Sequence, residues 1–131
     1  MKTIRRIVAI IAAALAAALL ATWAAEPPQY KVREEVTVTG KVTGVSTVPD
    51  WMGRDGRNIA LQGADVSAPH VDVATASFMR LLEFPIAVGD DLDLTGCWST
   101  TTEGQAVFLV HTLKKQRVTL NVRDAGGAPL W

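Results

Sequence analysis

Valine and threonine alternate along Val36-Thr37-Val38-Thr39-Gly40-Lys41-Val42-Thr43. This sets Val36, Val38 and Val42 on one face and Thr37, Thr39, Lys41 and Thr43 on the other. Period-two order built from β-branched residues dictates a half-buried strand. Residues 58–62, 70–75, 91–99 and 106–113 carry further strand-like runs, and Val118, Leu120 and Val122 alternate in a candidate sixth. One segment breaks the rule. Residues 77–83 place Phe78, Leu81 and Leu82 at i, i+3 and i+4, the spacing of an apolar helical stripe. The predicted order is three strands, one short helix, then two or three strands. A sheet this small buries enough apolar surface only by closing on itself, which predicts an all-β barrel of five strands plugged by Phe78, Leu81 and Leu82.

The amino-terminal residues are set apart from that pattern. Lys2, Arg5 and Arg6 precede residues 7–20, which are uninterrupted apolar sequence, and Thr22-Trp23-Ala24 ends in a small residue. This is the layout of a secretory signal peptide, with cleavage expected after Ala24 and a periplasmic or secreted product. The alternative is an uncleaved inner-membrane anchor, because residues 7–25 are 19 in number, close to the ~20 that span a bilayer. The expected organisation is a signal peptide at 1–24, an extended lead-in at 25–33 around Pro27 and Pro28, and one domain at 34–131.

Cleavage there removes three of thirteen basic residues and none of thirteen acidic ones, so the remaining domain carries a net charge near −3. That balance argues against a general polyanion binder. Cys97 is the sole cysteine, so no internal disulfide exists and stability rests on packing. In a strand such a residue is expected to act as a small buried hydrophobe.

Five strands with a helix between the third and fourth, the bending glycine in Val36-Thr37-Val38-Thr39-Gly40-Lys41-Val42, and the turn and strand Val88-Gly89-Asp90-Asp91-Leu92-Asp93-Leu94-Thr95-Gly96 together resemble the OB-fold. The resemblance covers residues 34–114. With the export leader, it is similar to exported bacterial OB-fold proteins, and it implies a Greek-key barrel that binds small or extended ligands without catalysis. It also implies a binding surface on the second and third strands and on the loops after the first and fourth.

The loop expected at 48–57 joins Trp51 to Arg54 and Arg57, one stacking platform and two guanidiniums suited to a nucleotide, sugar ring or anionic group. The competing reading has Trp51 capping the barrel while the arginines pair with Asp50 and Asp55. Asn58, His70 and Asp72 complete the candidate ligand set from the strand 2–3 face. His70 and Asp72 share a face two residues apart, but with His111 they lack the spacing of a metal site. Asp90 reads as a turn former, Asp91 and Asp93 as a solvated face, and Lys114-Lys115-Gln116-Arg117 as a solvated turn. Leu130 and Trp131 are expected to close one barrel end.

No G-x-S-x-G, H-E-x-x-H, C-x-x-C, Walker A or dinucleotide fingerprint is present. The expectation is a non-enzymatic module with no cofactor and no metal. Its partner would be a small-molecule or oligosaccharide-like ligand. The alternatives are an adaptor docking another envelope protein by a strand edge or the Leu130-Trp131 end, and single-stranded nucleic-acid binding by fold analogy alone.

Overall fold

The computed structural model describes residues 27–131; the expected signal peptide lies outside the described residues. The strands are β1 (Val36–Pro49), β2 (Asp55–Gln62), β3 (Ser67–Thr75), β4 (Asp91–Thr100), β5 (Ala106–Lys115) and β6 (Val118–Asn121), with one helix, α1 (Ala76–Leu81), between β3 and β4. They form one sheet in the order β3-β2-β1-β4-β5-β6. A short parallel pairing of Val71 with Phe108 and Asp72 with Leu109 joins β3 to β5 and closes the first five strands into a ring. All the other pairings are antiparallel, and β6 is added outside the ring.

β1 is long because it serves two neighbours. Val36 to Lys41 pair with β4, and Lys41 to Pro49 pair with β2. At the hand-over, a Cβ on Gly40 would come 2.9 Å from the Gln62 carbonyl carbon, so only glycine lets the strands cross. The expected bend appears as a register shift between Val42 and Gly44. Inside the ring lie Val42, Ile59, Leu61, Val71, Val73, Leu92, Leu94, Phe108, Val110 and Leu113, all buried.

Three expectations are corrected. The 48–57 loop is only a tight turn, since β1 runs to Pro49 and β2 starts at Asp55; Arg57 is therefore a strand residue. The helix is in a different phase. It buries Ala76 and Met79 and half-buries Phe78, while Leu81 is 79 % exposed and Leu82 also faces solvent. Thr75 caps it by accepting from the Phe78 N–H, which starts the helix one residue earlier than the sequence pattern suggests. The short helix then lays Met79 and the following Phe84 onto the core. Trp98 keeps the inward phase of Leu92 and Leu94, opposite the core residue Phe108, and is partly exposed near the end of β4. It keeps only an edge contact to Phe108, 5.2 Å between centroids.

The third correction concerns the lead-in. It is neither loose nor simply extended. Val32–Glu34 form a 3-10 turn, and the segment lies across the outer face of β4 and β5. The Ser99 hydroxyl donates to the Gln29 carbonyl at 3.0 Å, and the Lys31 N–H reaches the Cys97 sulfur at 3.3 Å. Tyr30 packs on Cys97, Val107 and Leu109 as a second small core. This is why β5 is apolar on both faces, and why Cys97 is fully buried.

Candidate functional site

A cavity of ≈ 860 Å³ lies over the seam where β3 meets β5. Its floor includes Asp72 and Leu109, the residue pair that closes the ring. One wall is the β1–β2 turn with Trp51, Met52 and Arg54; the others are the lead-in, from Pro27 to Tyr30, and the carboxy-terminal turn with Trp131.

The turn is held by a single side chain. Asp50 accepts from the Met52 N–H at 2.9 Å, the Arg54 N–H at 2.8 Å and the Arg54 Nε at 2.9 Å. The expected Asp50–Arg54 pairing is therefore present, and Trp51 is 54 % exposed at the cavity wall. Rigid turn geometry thus presents one indole to the cavity.

The floor is built around Arg123, 7 % exposed. Its guanidinium carbon lies 4.9 Å from the Tyr30 ring centroid and 5.1 Å from that of Trp131. Nε donates to the Val110 carbonyl at 3.2 Å and Nη1 to the Gly127 carbonyl at 2.9 Å. Nη2 makes no bond among the described residues, and Arg123 is one of the residues that line the cavity. Burial works against the charge and lowers the guanidinium's proton affinity, with Asp72 and Tyr30 opposing that. Asp72 is itself raised from its ordinary value, first by burial; attraction to Arg123 lowers it and repulsion from Asp50 adds to the rise.

Behind Arg123, the Tyr30 hydroxyl donates to Glu35 Oε1 at 2.5 Å, and His111 Nδ1 meets the same oxygen at 2.5 Å. Glu35 is held below the usual carboxylate range, first by the Tyr30 bond and then, against desolvation, by His111. The ionised carboxylate requires the proton on His111 Nδ1. Tyr30 is pushed up by burial and by Glu35. These three fix the Tyr30 ring against Arg123.

Of the residues singled out from sequence, Trp51, Arg54 and Asp72 meet at this cavity. Arg57 does not; it lines a separate hollow of ≈ 490 Å³ with Met79, Arg80 and Phe84. Asn58 pairs with Asp72 in register but lines neither space. His70 is exposed at the surface, its Nε2 2.8 Å from Gln105 Nε2. Asp90 accepts from the Ala87 N–H at 2.8 Å as a turn former should. Among the described residues no three His, Cys, Asp or Glu side chains gather in a group able to hold a metal ion.

A family model for the MamS/MamX magnetosome protein family matches residues 34–120. The chain belongs to that family. No curated protein matches it. The region matched to the MamS/MamX family includes Glu35, Trp51, Arg54, Asp72 and His111, whereas Tyr30, Arg123 and Trp131 flank it. The cavity thus combines a family-matched ring with the lead-in and the carboxy-terminal turn. Sequence reasoning missed Tyr30 and Arg123. The available signal was β5, apolar on both faces, which demands a cover for its outer side.

Proposed function

We propose that this MamS/MamX-family chain is a non-catalytic binding module whose ring is of OB type, acting after export. Its cavity receives a small or sugar-like molecule bearing one anionic group. One observation carries the reading: Arg123 is buried against two rings, yet lines a cavity walled by the exposed indole of Trp51 and leaves Nη2 without a bond among the described residues. A fixed guanidinium edge suits a carboxylate or phosphate, and an indole suits a planar or pyranose body. The β1–β2 turn corresponds to one of the loops that OB-type modules use, while the cavity floor lies on the β3–β5 seam.

Absence of catalysis is supported by how candidate groups are used. The Ser99 hydroxyl is committed to Gln29, His111 to Glu35, and Cys97 is buried. None pairs as nucleophile and base. The acidic balance of the domain disfavours nucleic acid.

The test is a thermal-shift and calorimetric screen of sugar acids, sugar phosphates and small dicarboxylates. Trp51→Ala should abolish binding of a hit while leaving the melting temperature nearly unchanged, because the side chain is mostly exposed. Binding untouched by Trp51→Ala, or no hit at millimolar concentration, sinks the reading.

A second reading has its own support. Leu81 projects 79 % exposed from α1, and β6 has no strand partner on its outer side among the described residues. These suit an adaptor in a magnetosome-associated assembly, docking by edge or by an apolar anchor. Trp131 is largely packed against Phe78 and Arg123, so of the expected Leu130-Trp131 end only Leu130 is free for such docking. Leu81→Asp should then lose a co-purifying protein that Trp51→Ala retains.

A further inference from the structure

The second hollow, of ≈ 490 Å³, joins an apolar floor to two basic side chains. Met79 and Phe84 are buried members of the core cluster and Ile86 packs against it, so the floor is the core's own surface. Arg57 and Arg80 line the same space from β2 and α1. They converge because Arg57 pairs with Ala74, two residues before α1 begins, and the β2–β3 register shifts directly after it. The wall is fixed by how the helix ends. The Glu83 N–H donates to the Arg80 carbonyl at 3.0 Å and the Phe84 N–H to the Met79 carbonyl at 3.2 Å, a reversal that sets Glu83 at φ +53°. Glycine usually takes that position, and a side chain there costs about 1 kcal/mol. The reversal returns Phe84 to the floor and leaves Pro85 in the wall. Lys115 Nζ donates to the Pro85 carbonyl at 3.1 Å and pairs with Asp90 at 2.8 Å, which ties that wall to β5.

The ion pairs among the described residues engage Lys31, Lys41, Arg54, His111 and Lys115, and neither Arg57 nor Arg80. Glu83 lines the same hollow and pairs with neither of them. In a domain of net charge near −3, two uncommitted guanidiniums beside one apolar floor are a local reversal of sign. We propose that this hollow is a second binding site, for a small molecule with an apolar chain or ring and one carboxylate. Its body rests on Met79, Phe84 and Ile86, and its head group meets Arg57 and Arg80. A guanidinium fork matches a carboxylate in shape and charge. The volume falls within the roughly 300–1,000 Å³ of small-molecule sites. Met79 gives the floor an adaptable surface that fits a chain or a ring. Glu83 on the rim repels further negative charge, which favours a monoanion over a phosphorylated ligand. The strained backbone at Glu83 is retained because it shapes the wall. Nothing here rests on the ligand reading of the Trp51 cavity, since the two spaces share no lining residue.

The experiment irradiates the full chain with a benzophenone carboxylate, an aryl ketone that inserts into nearby C–H bonds and favours methionine. Met79 lines this hollow and Met52 the Trp51 cavity, so the position of the adduct reports which space was occupied. Peptide mapping by mass spectrometry should place it between Met79 and Ile86. Excess octanoate should reduce its yield several-fold, whereas octanol, with the same chain and no charge, should not. Arg57→Gln combined with Arg80→Gln should lose the adduct to the same extent, and Trp51→Ala should keep it. No adduct, adducts confined to Met52, octanol competing as well as octanoate, or a yield indifferent to the two arginines overturns the inference. The comparison of octanoate with octanol uses the native chain, so it decides the matter even where the double variant fails to fold.

Discussion

Arg123 holds its guanidinium carbon 4.9 Å from the ring centroid of Tyr30, and through that contact the lead-in meets the segment that follows β6. Gly127 makes the contact feasible. Its φ is +87°, and a Cβ there would overlap the Tyr30 ring.

Gly127→Ala therefore meets two penalties. The left-handed backbone costs ~1 kcal/mol for an L-residue, and displacing the ring adds overpacking of about 1–3 kcal/mol. Gly53, at φ +77° with nothing within 4 Å, meets only the first. Denaturant unfolding of the two alanine variants should show the Gly127 change costing clearly more. Equal losses would mean that Tyr30 is not held where the structure puts it.

Glu35 makes the domain sensitive to acid. Its folded-state value is depressed by the Tyr30 and His111 bonds, so its stabilising contribution is present above the ordinary glutamate range and is lost as pH falls through the lower folded value. Stability measured from pH 6 down to pH 3 should fall more steeply for the native chain than for Glu35→Gln. Parallel curves would show that the carboxylate contributes nothing differential.

The ring was legible from residues because its signals are local and redundant. Alternation at Val36 to Val42, Ile59 and Leu61 inward, and Leu92 with Leu94 inward each need only the strand period, and the structure has each residue core-facing apart from the exposed Val36. The helix was legible in place but not in phase, since six residues hold too few apolar positions to decide which side packs. Leu81 and Leu82 had the right spacing, and Met79 has the burial. The site was only half legible. Trp51, Arg54 and Asp72 sit on elements whose position follows from the ring, whereas Tyr30 and Arg123 meet through pairings between distant segments that no periodicity records.

The helix phase has a direct check. Met79→Ala removes a buried side chain from the ring's plug and should cost about 2–4 kcal/mol in unfolding free energy. Leu81→Ala should fall within about 0.5 kcal/mol of the native chain, because its side chain faces water. The reverse ranking would restore Leu81 as the plug and withdraw the surface on which the adaptor reading depends.

Asp72 should behave oppositely to Glu35. Burial outweighs its attraction to Arg123, so its folded-state value is raised. A raised acid contributes stability that is whole below its ordinary value and disappears as pH rises through the folded one. At neutral pH the ionised carboxylate is therefore a cost, and one already net of the pull from Arg123. Its carboxyl makes no side-chain hydrogen bond among the described residues, so Asp72→Asn orphans no hydrogen-bond partner there. The variant should be more stable than the native chain at pH 7 and indistinguishable from it near pH 3.5, as read by thermal melts across that range. A variant less stable at pH 7 would show that Asp72 is held as the counter-charge of Arg123, and that the cavity floor is an ion pair closed to an incoming anion.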